Sequence, residues 1–348
     1  ILFLFMFLVS WKEIYMLESL GHLALFTAKA LIIVLVILFL LTMMLVIVGR
    51  AKEKLKGQLS IRHLNKRLQE TKETLLNETF SKAQWKRYMK ERKQELKREK
   101  KRADKQNVYV LQFNGDVQAS AVASLKEEVT ALLTVATPQD EIVVKLESGG
   151  GMVHSYGLAA AQLKRLRDKN IPLTVIVDKI AASGGYLMAC IGNRLLSAPF
   201  AIIGSIGVVF QIPNFHRLLE NNHIDYELVT AGNFKRTLTL FGENTPAARE
   251  KLREELEAIH DQFKGVIKEF RPTIDIQRVS TGEHWLGQQA LSLGLVDDLT
   301  TSDDYLLQKS ETANVYEISF EIKKSLSSRF KMAMQRITAK EPVLPMSI

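Results

Sequence analysis

Ser183 stands in Ala-Ala-Ser-Gly-Gly-Tyr (181–186), a run of small residues whose turn can present a hydroxyl to a substrate. A serine hydroxyl is a weak nucleophile until a neighbouring base takes its proton. Histidine is the usual base, and the chain has seven: His22, His63, His154, His216, His223, His260 and His284. None lies in a small-residue or strand-end setting that suits a triad, and each reads as a surface or satisfied polar residue. Lysine does the same work when neutral, which from a reference pKa of about 10.4 requires a fall of roughly 2–3 through desolvation or a nearby cation. Lys235 follows Ala-Gly-Asn-Phe (231–234) and precedes Arg236 and an apolar run at 238–241, a setting compatible with a partly buried amine. Lys179, four residues before Ser183, is the competing lysine. An oxyanion has two sources of backbone N–H groups. One is Gly184, next after the nucleophile at a helix start. The other is the glycine run 149–151, with Gly150 the favoured donor. This chemistry needs neither metal nor nucleotide, and no Walker-type loop is present, so no cofactor is expected.

The elements that position these groups alternate. Residues 108–113, 141–146 and 173–177 read as strands, and 118–134, 153–168 and 184–191 as helices. Such β-α alternation argues for an α/β domain with a largely buried parallel sheet, in which functional loops collect at the carboxyl ends of the strands. Both glycine-rich segments fall there. The uncharged stretch 195–212 is interrupted by Pro199, Gly204, Ser205 and Gly207 and reads as short buried strands and turns. A long charged helix is expected over 245–270, with Thr245-Pro246 at its start, and a turn-helix-strand unit over 281–297.

The rest of the chain is unlike this domain. Residues 30–48 carry no charge and no polar face; at about 1.5 Å per residue they nearly cross a hydrocarbon core of roughly 30 Å. No small-residue cleavage site follows, so 23–49 is expected to be an uncleaved transmembrane anchor. Residues 1–22 read as an N-terminal extension, with Met16 the expected initiator because residue 1 is Ile. The formal charge of +9 is localised: residues 50–106 hold 20 Lys and Arg against 8 Asp and Glu. They form an expected helical, basic stalk, for which anionic lipid headgroups beside the span are a nearer partner than nucleic acid. The catalytic domain is assigned to 107–310, and a C-terminal strand with a basic amphipathic tail to 311–348. Cys190 is the only cysteine, which excludes an intrachain disulfide.

Four motifs in this order, Glu-Ser-Gly-Gly-Gly-Met-Val, Ala-Ala-Ser-Gly-Gly-Tyr, Gly-Ser-Ile-Gly-Val (204–208) and Ala-Gly-Asn-Phe-Lys-Arg-Thr-Leu-Thr, resemble those of the signal peptide peptidase A family of serine peptidases. The anchor and basic stalk resemble its SohB branch, and the likeness covers about residues 16–330. The resemblance implies a fold like that of Clp protease and crotonase, built from stacked ββα units. It implies a Ser–Lys dyad with Ser183 as nucleophile and Lys235 as general base, Ser205 orienting the lysine amine, and Gly150 and Gly184 forming the oxyanion hole. It also implies peptide or unfolded-protein substrates and, since short members assemble as rings, a homo-oligomer. Gly149 departs from the family's usual Pro, which gives the loop more freedom.

The leading expectation is a serine endopeptidase anchored in the bacterial inner membrane, acting on signal-peptide remnants or misfolded membrane-associated segments. A crotonase-like acyl-CoA enzyme is one alternative, with Glu147 the only acid close to the glycine motifs; a catalytically silent scaffold is the other. For topology, the basic residues after the span place the stalk in the cytoplasm, whereas the resemblance to exported members places the catalytic domain outside. The periplasmic side is the expectation carried forward.

Overall fold

Val108, Val110, Leu111 and Phe113 are buried along one strand, and Ile142, Val143, Val144 and Leu146 along the next. A strand that buries successive residues needs a cover on both faces, and this is the signature of a parallel sheet clothed by helices. The computed structural model describes residues 57–99, 105–232 and 234–321, together with residues 25, 27, 29, 31–41 and 43. In chain order, β1 is Gln58–His63, α1 Leu64–Thr79, α2 Lys82–Glu99, β2 Asn107–Gly115, α3 Val122–Leu132, β3 Glu141–Ser148 and α4 Val153–Asp168. They are followed by β4 Leu173–Val177, β5 Ile180–Ala182, α5 Gly184–Ala189, β6 Arg194–Ser197, β7 Ile202–Gly204, α6 His216–Asn221 and α7 Pro246–Phe270. The last elements are α8 Ile276–Val279, β8 His284–Leu286, α9 Gly287–Ser292, β9 Asp298–Leu299, α10 Ser302–Thr312 and β10 Asn314–Glu321.

The described strands form one sheet in the order β1-β10-β2-β3-β4-β6-β9, with every pair from β10 to β9 parallel. A branch leaves it at the carboxyl end of β3. There Ile142–Lys145 register against β4, while Ser148 pairs with Ala181 of β5. β5 continues in parallel to β7, and β7 pairs antiparallel with β8. Alternate strand residues feed two cores. Leu111, Phe113, Val144, Leu146, Val175 and Leu195 pack with α3, α4 and α5. On the opposite face Val110, Val143, Ile176 and Leu196 meet Tyr305 and Leu306 of α10.

The mixed α/β sheet agrees with the sequence reading, and helix 153–168 and strand 173–177 coincide with α4 and β4. In the 195–212 stretch only β6 and β7 are regular. Thr245 caps α7, its hydroxyl accepting from Ala248 N–H at 3.2 Å, with Pro246 in the first turn. One element differs. Within the segment read as a helical stalk, Gln58–His63 is a strand beside β10. It is recruited by a neighbour 250 residues away, which local composition cannot show. Asn65, just after it, donates from Nδ2 to the carbonyls of Ser310 and Ala313 and accepts from Val315 N–H.

Of the predicted anchor, the described residues are helical and their large apolar side chains are exposed. Among the described residues no helix is long and apolar enough to cross a membrane. The remainder of the predicted span, the extension 1–22 and the tail beyond 321 lie outside the described residues.

Candidate active site

The branch point of the sheet brings the two glycine motifs together. Ser183 follows β5 and precedes α5, with φ 51° and ψ −121°. This backbone conformation is rare for an L-residue and costs about 1–3 kcal/mol where the surroundings enforce it. They do enforce it here: Ser183 N–H donates to Gly204 O at 2.8 Å, and Ser183 O accepts from Leu187 N–H at 3.0 Å. The hydroxyl is thus carried on a turn held from both sides.

The end of β3 lies beside this turn. Gly150 has φ 87°, and a Cβ on it would stand 2.8 Å from Ser183 Cβ and 2.7 Å from Gly184 N. Only glycine permits that approach. Gly149, by contrast, would meet only Ile180 Cδ1 at 3.8 Å, so packing does not require glycine there. Gly150 N–H, the favoured oxyanion donor in the sequence, donates to Ser148 Oγ at 3.0 Å. Ser148 Oγ in turn lies 2.5 Å from Tyr156 Oη, which donates to Asp116 O at 2.7 Å. Neither Ser148 nor Tyr156 was singled out in the sequence. In the sequence Ser148 reads as part of a glycine-rich turn, and Tyr156 as an ordinary apolar-face residue of α4. Burial raises the Tyr156 pKa, opposed by its bond to Ser148 and assisted by the charge of Asp116, so the phenol stays protonated.

Ser205 emerges next to Ser183, because Gly204 registers against Ala182 across the β5–β7 pair. It too has a positive φ, 50°, and its N–H donates to Glu283 O at 2.6 Å. His260 of α7 lies 3.2 Å from the carbonyl of Ile206 and fixes the segment that follows. The far end of α5 is tied down as well. Tyr186 Oη donates to Leu295 O at 2.9 Å, and the buried Arg271 guanidinium donates to both oxygens of Asp297, at 2.7 and 2.8 Å. Burial opposes the charge on Asp297, but the Arg271 hydrogen bond, the Leu195 N–H and the charges of Arg271 and Arg194 together outweigh it and hold that carboxyl below its ordinary pKa.

Ser183, Gly184, Gly150 and Ser205 are therefore brought together, and Lys235 is not joined to them. It sits in an exposed turn, its N–H donating to Gly232 O at 3.2 Å. Among the described residues no hydrogen bond or ion pair connects its amine to Ser183. Its neighbour Phe234 is also exposed and lies 5.3 Å from the Lys251 ammonium. The competing Lys179 is committed elsewhere, donating to both oxygens of Glu147 at 3.0 and 3.1 Å. That pair also engages Glu147, the acid of the crotonase-like alternative. The Cys190 thiol is fully buried and pushed up to about 12 by burial, which leaves it inert. Among the described residues no group of three or more His, Cys, Asp or Glu side chains could hold a metal ion.

Comparison with known proteins places these features in context. Residues 18–163 match the N-terminal part of peptidase family S49, and residues 165–316 match peptidase family S49 itself. The chain is 46% identical over 318 residues to "Probable protease SohB" of Haemophilus influenzae, covering 86% of this chain and 90% of the relative. It is 48% identical over 285 residues to "Probable protease SohB" of Buchnera aphidicola subsp. Schlechtendalia chinensis, covering 78% and 93%. Among solved structures it is similar to a mutant of the 1510-N membrane-bound stomatin-specific protease in complex with a substrate peptide. That likeness has a TM-score of 0.43 at 15% identity, over 67% of this chain and 99% of the other.

Proposed function

The chain belongs to peptidase family S49, and from that premise we propose a membrane-anchored serine endopeptidase in which Ser183 is the nucleophile and Lys235 the general base. The observation that carries this reading is the strained Ser183 turn, packed so closely on Gly150 that no side chain fits between them. A hydroxyl on such a turn, beside backbone N–H groups, is what acyl transfer requires. In the proposed reaction Ser183 Oγ attacks the scissile carbonyl carbon, and its proton passes to the neutral amine of Lys235. The carbonyl oxygen becomes an oxyanion facing the amides of Gly184 and Gly150. Collapse of this intermediate breaks the C–N bond; Lys235 returns the proton to the leaving amine, and an ester remains on Ser183. Water then attacks that ester, giving its proton to Lys235, and the carboxyl product leaves as Ser183 recovers its proton.

In a single chain the Lys235 turn is exposed, so the proposal includes its docking against Ser183 in a homo-oligomer. In the segment 209–234 that leads to it, Val209, Phe210, Ile224, Leu228, Val229 and Phe234 are all exposed, apolar side chains that a neighbouring copy would cover. Ser205, on the strand next to the nucleophile, is assigned to orient the amine. Substrates are unfolded or membrane-associated peptides, and the uncharged stretch 30–48 with its basic sequel supplies the anchor in the inner membrane. The catalytic domain is placed on the periplasmic side. Turnover of an unfolded protein by Ser183→Ala and Lys235→Ala tests the dyad: both should be inactive, and full activity in either removes it. A reporter fused after residue 106, active on one side of the membrane only, tests the topology.

A further inference from the structure

Three elements of the site meet on a side chain outside the proposed dyad. Tyr156, in the first turn of α4, is fully buried, and Ser148 at the end of β3 is 2% exposed. Proton counting fixes the direction of their hydrogen bonds. A carbonyl can only accept, so the Tyr156 proton goes to Asp116 O at 2.7 Å. Towards Ser148 the phenol oxygen is then the acceptor, and Ser148 Oγ–H donates to it at 2.5 Å. Gly150 N–H completes the chain by donating to Ser148 Oγ at 3.0 Å. The run from Gly150 N–H through Ser148 and Tyr156 to Asp116 O points one way throughout, so each bond polarises the next.

The space around this chain is kept open by glycines on two separate elements. A Cβ on Gly115, the last residue of β2, would lie 2.4 Å from Tyr156 Oη and 2.5 Å from Ser148 Oγ. One on Gly184 would lie 2.4 Å from Tyr156 Cγ, and one on Gly185 would lie 2.4 Å from Ser148 O. Gly184 is the residue after the nucleophile, so the ring of Tyr156 supports the Ser183 turn while its hydroxyl holds the glycine loop.

We infer that Tyr156 and Ser148 are positioning residues of the reaction, setting the Gly150 peptide against the Ser183 turn. The inference rests on the serine peptidase reading above. The loop 149–151 is all glycine and has wide conformational freedom of its own. Ser148 restrains it by engaging Gly150 N–H before any charge develops. When the oxyanion forms, it competes with a neutral hydroxyl for that donor and wins, because a charge-assisted hydrogen bond is about twice as strong.

The test is steady-state turnover of an unfolded protein by the full chain, with active sites counted by fluorophosphonate labelling of Ser183. Tyr156→Phe and Ser148→Ala each remove one oxygen. Each is expected to lower kcat about 10- to 100-fold, the range below loss of an oxyanion donor itself, while KM stays within about twofold. Because both act through one chain, the double variant should be no slower than the slower single. Unchanged kcat, a loss confined to KM, or a double variant whose loss is the product of the two singles overturns the inference. Should Tyr156→Phe not fold, as judged by its melting transition, Ser148→Ala carries the kcat and KM comparison alone. An unmodified chain that neither turns over substrate nor labels at Ser183 instead overturns the peptidase reading, and this inference with it.

Discussion

Gly184 and Tyr156 are in contact at a distance that admits no Cβ on the first: it would lie 2.4 Å from Tyr156 Cγ and 2.7 Å from Tyr156 Cβ. The root of a buried ring cannot swing aside as the tip of a flexible side chain does. Gly184→Ala is therefore expected to destabilise the protein by about 1–3 kcal/mol, the usual cost of overpacking, and to displace the Ser183 turn with loss of turnover. A lower urea midpoint at unchanged slope would register the first effect. A midpoint equal to that of the unmodified chain would refute the contact.

The positive φ at Ser183 separates two substitutions that both delete the hydroxyl. Ala keeps the strain, whereas Gly relieves it, offset in part by the greater freedom of Gly in the unfolded chain. Ser183→Gly should be more stable than Ser183→Ala by about 1 kcal/mol, and both should be inactive. Equal melting temperatures for the two would show that the turn stores no strain.

Lys179 and Lys235 are told apart by what surrounds them. Lys179 is an exposed partner of Glu147, and exposed ion pairs contribute about 0–1 kcal/mol. Lys179→Met should keep kcat within about twofold and lose no more than that stability, while Lys235→Met should abolish turnover. Inactivity of Lys179→Met in a folded protein would reassign the base.

Glu141 and Lys309 give the fold a pH signature away from the site. Glu141 is buried and accepts from Thr174 and Tyr305 at 2.6 and 2.5 Å, with the Lys309 amine 2.6 Å away. Burial raises its pKa, but the hydrogen bond from Lys309 and those from Thr174 and Tyr305 outweigh this, so it is held below its ordinary value. Its contribution is therefore present above about pH 4.3, the unfolded value, and is lost as pH falls through the lower folded value. Lys309 is raised, burial being outweighed by Glu141 and Tyr305 together, so its contribution is complete below about pH 10.4 and is lost as pH rises through the folded value. Urea unfolding between pH 3 and 6 should show a smaller acid slope in Lys309→Met than in the unmodified chain. Identical slopes would mean that the pair is not linked to folding.

What the sequence disclosed follows from where the information resides. Strands such as Leu173–Val177 and the helix Val153–Asp168 are written locally, as an apolar run and as a helical period, and both appear where expected. The small-residue turn at Ser183 was equally legible, since Gly184 and Gly185 leave no room for a Cβ. The Ser148–Tyr156 bond was not. It joins residues eight apart across a strand end and a helix start, and each has a plain alternative as a loop hydroxyl and a core aromatic. Strand Gln58–His63 was hidden for a related reason: its charged surroundings read as helix, and only β10 makes it a strand. Lys235 was legible as a motif position, but the exposure of its turn, apart from Ser183, was not.

The place of β10 between β1 and β2 bears on how the chain is made. Asn65 waits for Val315, 250 residues downstream, before its side-chain amide finds its partners. At about 5–20 residues per second, translation separates the two by roughly ten to fifty seconds. During that interval β2 presents an open edge, and α1 has no sheet to lie against. The middle of the domain, with its local β-α repeats, can assemble during synthesis. Closure of its border is a late event, and a nascent chain stalled before Asn314 would be the form most exposed to edge-to-edge association.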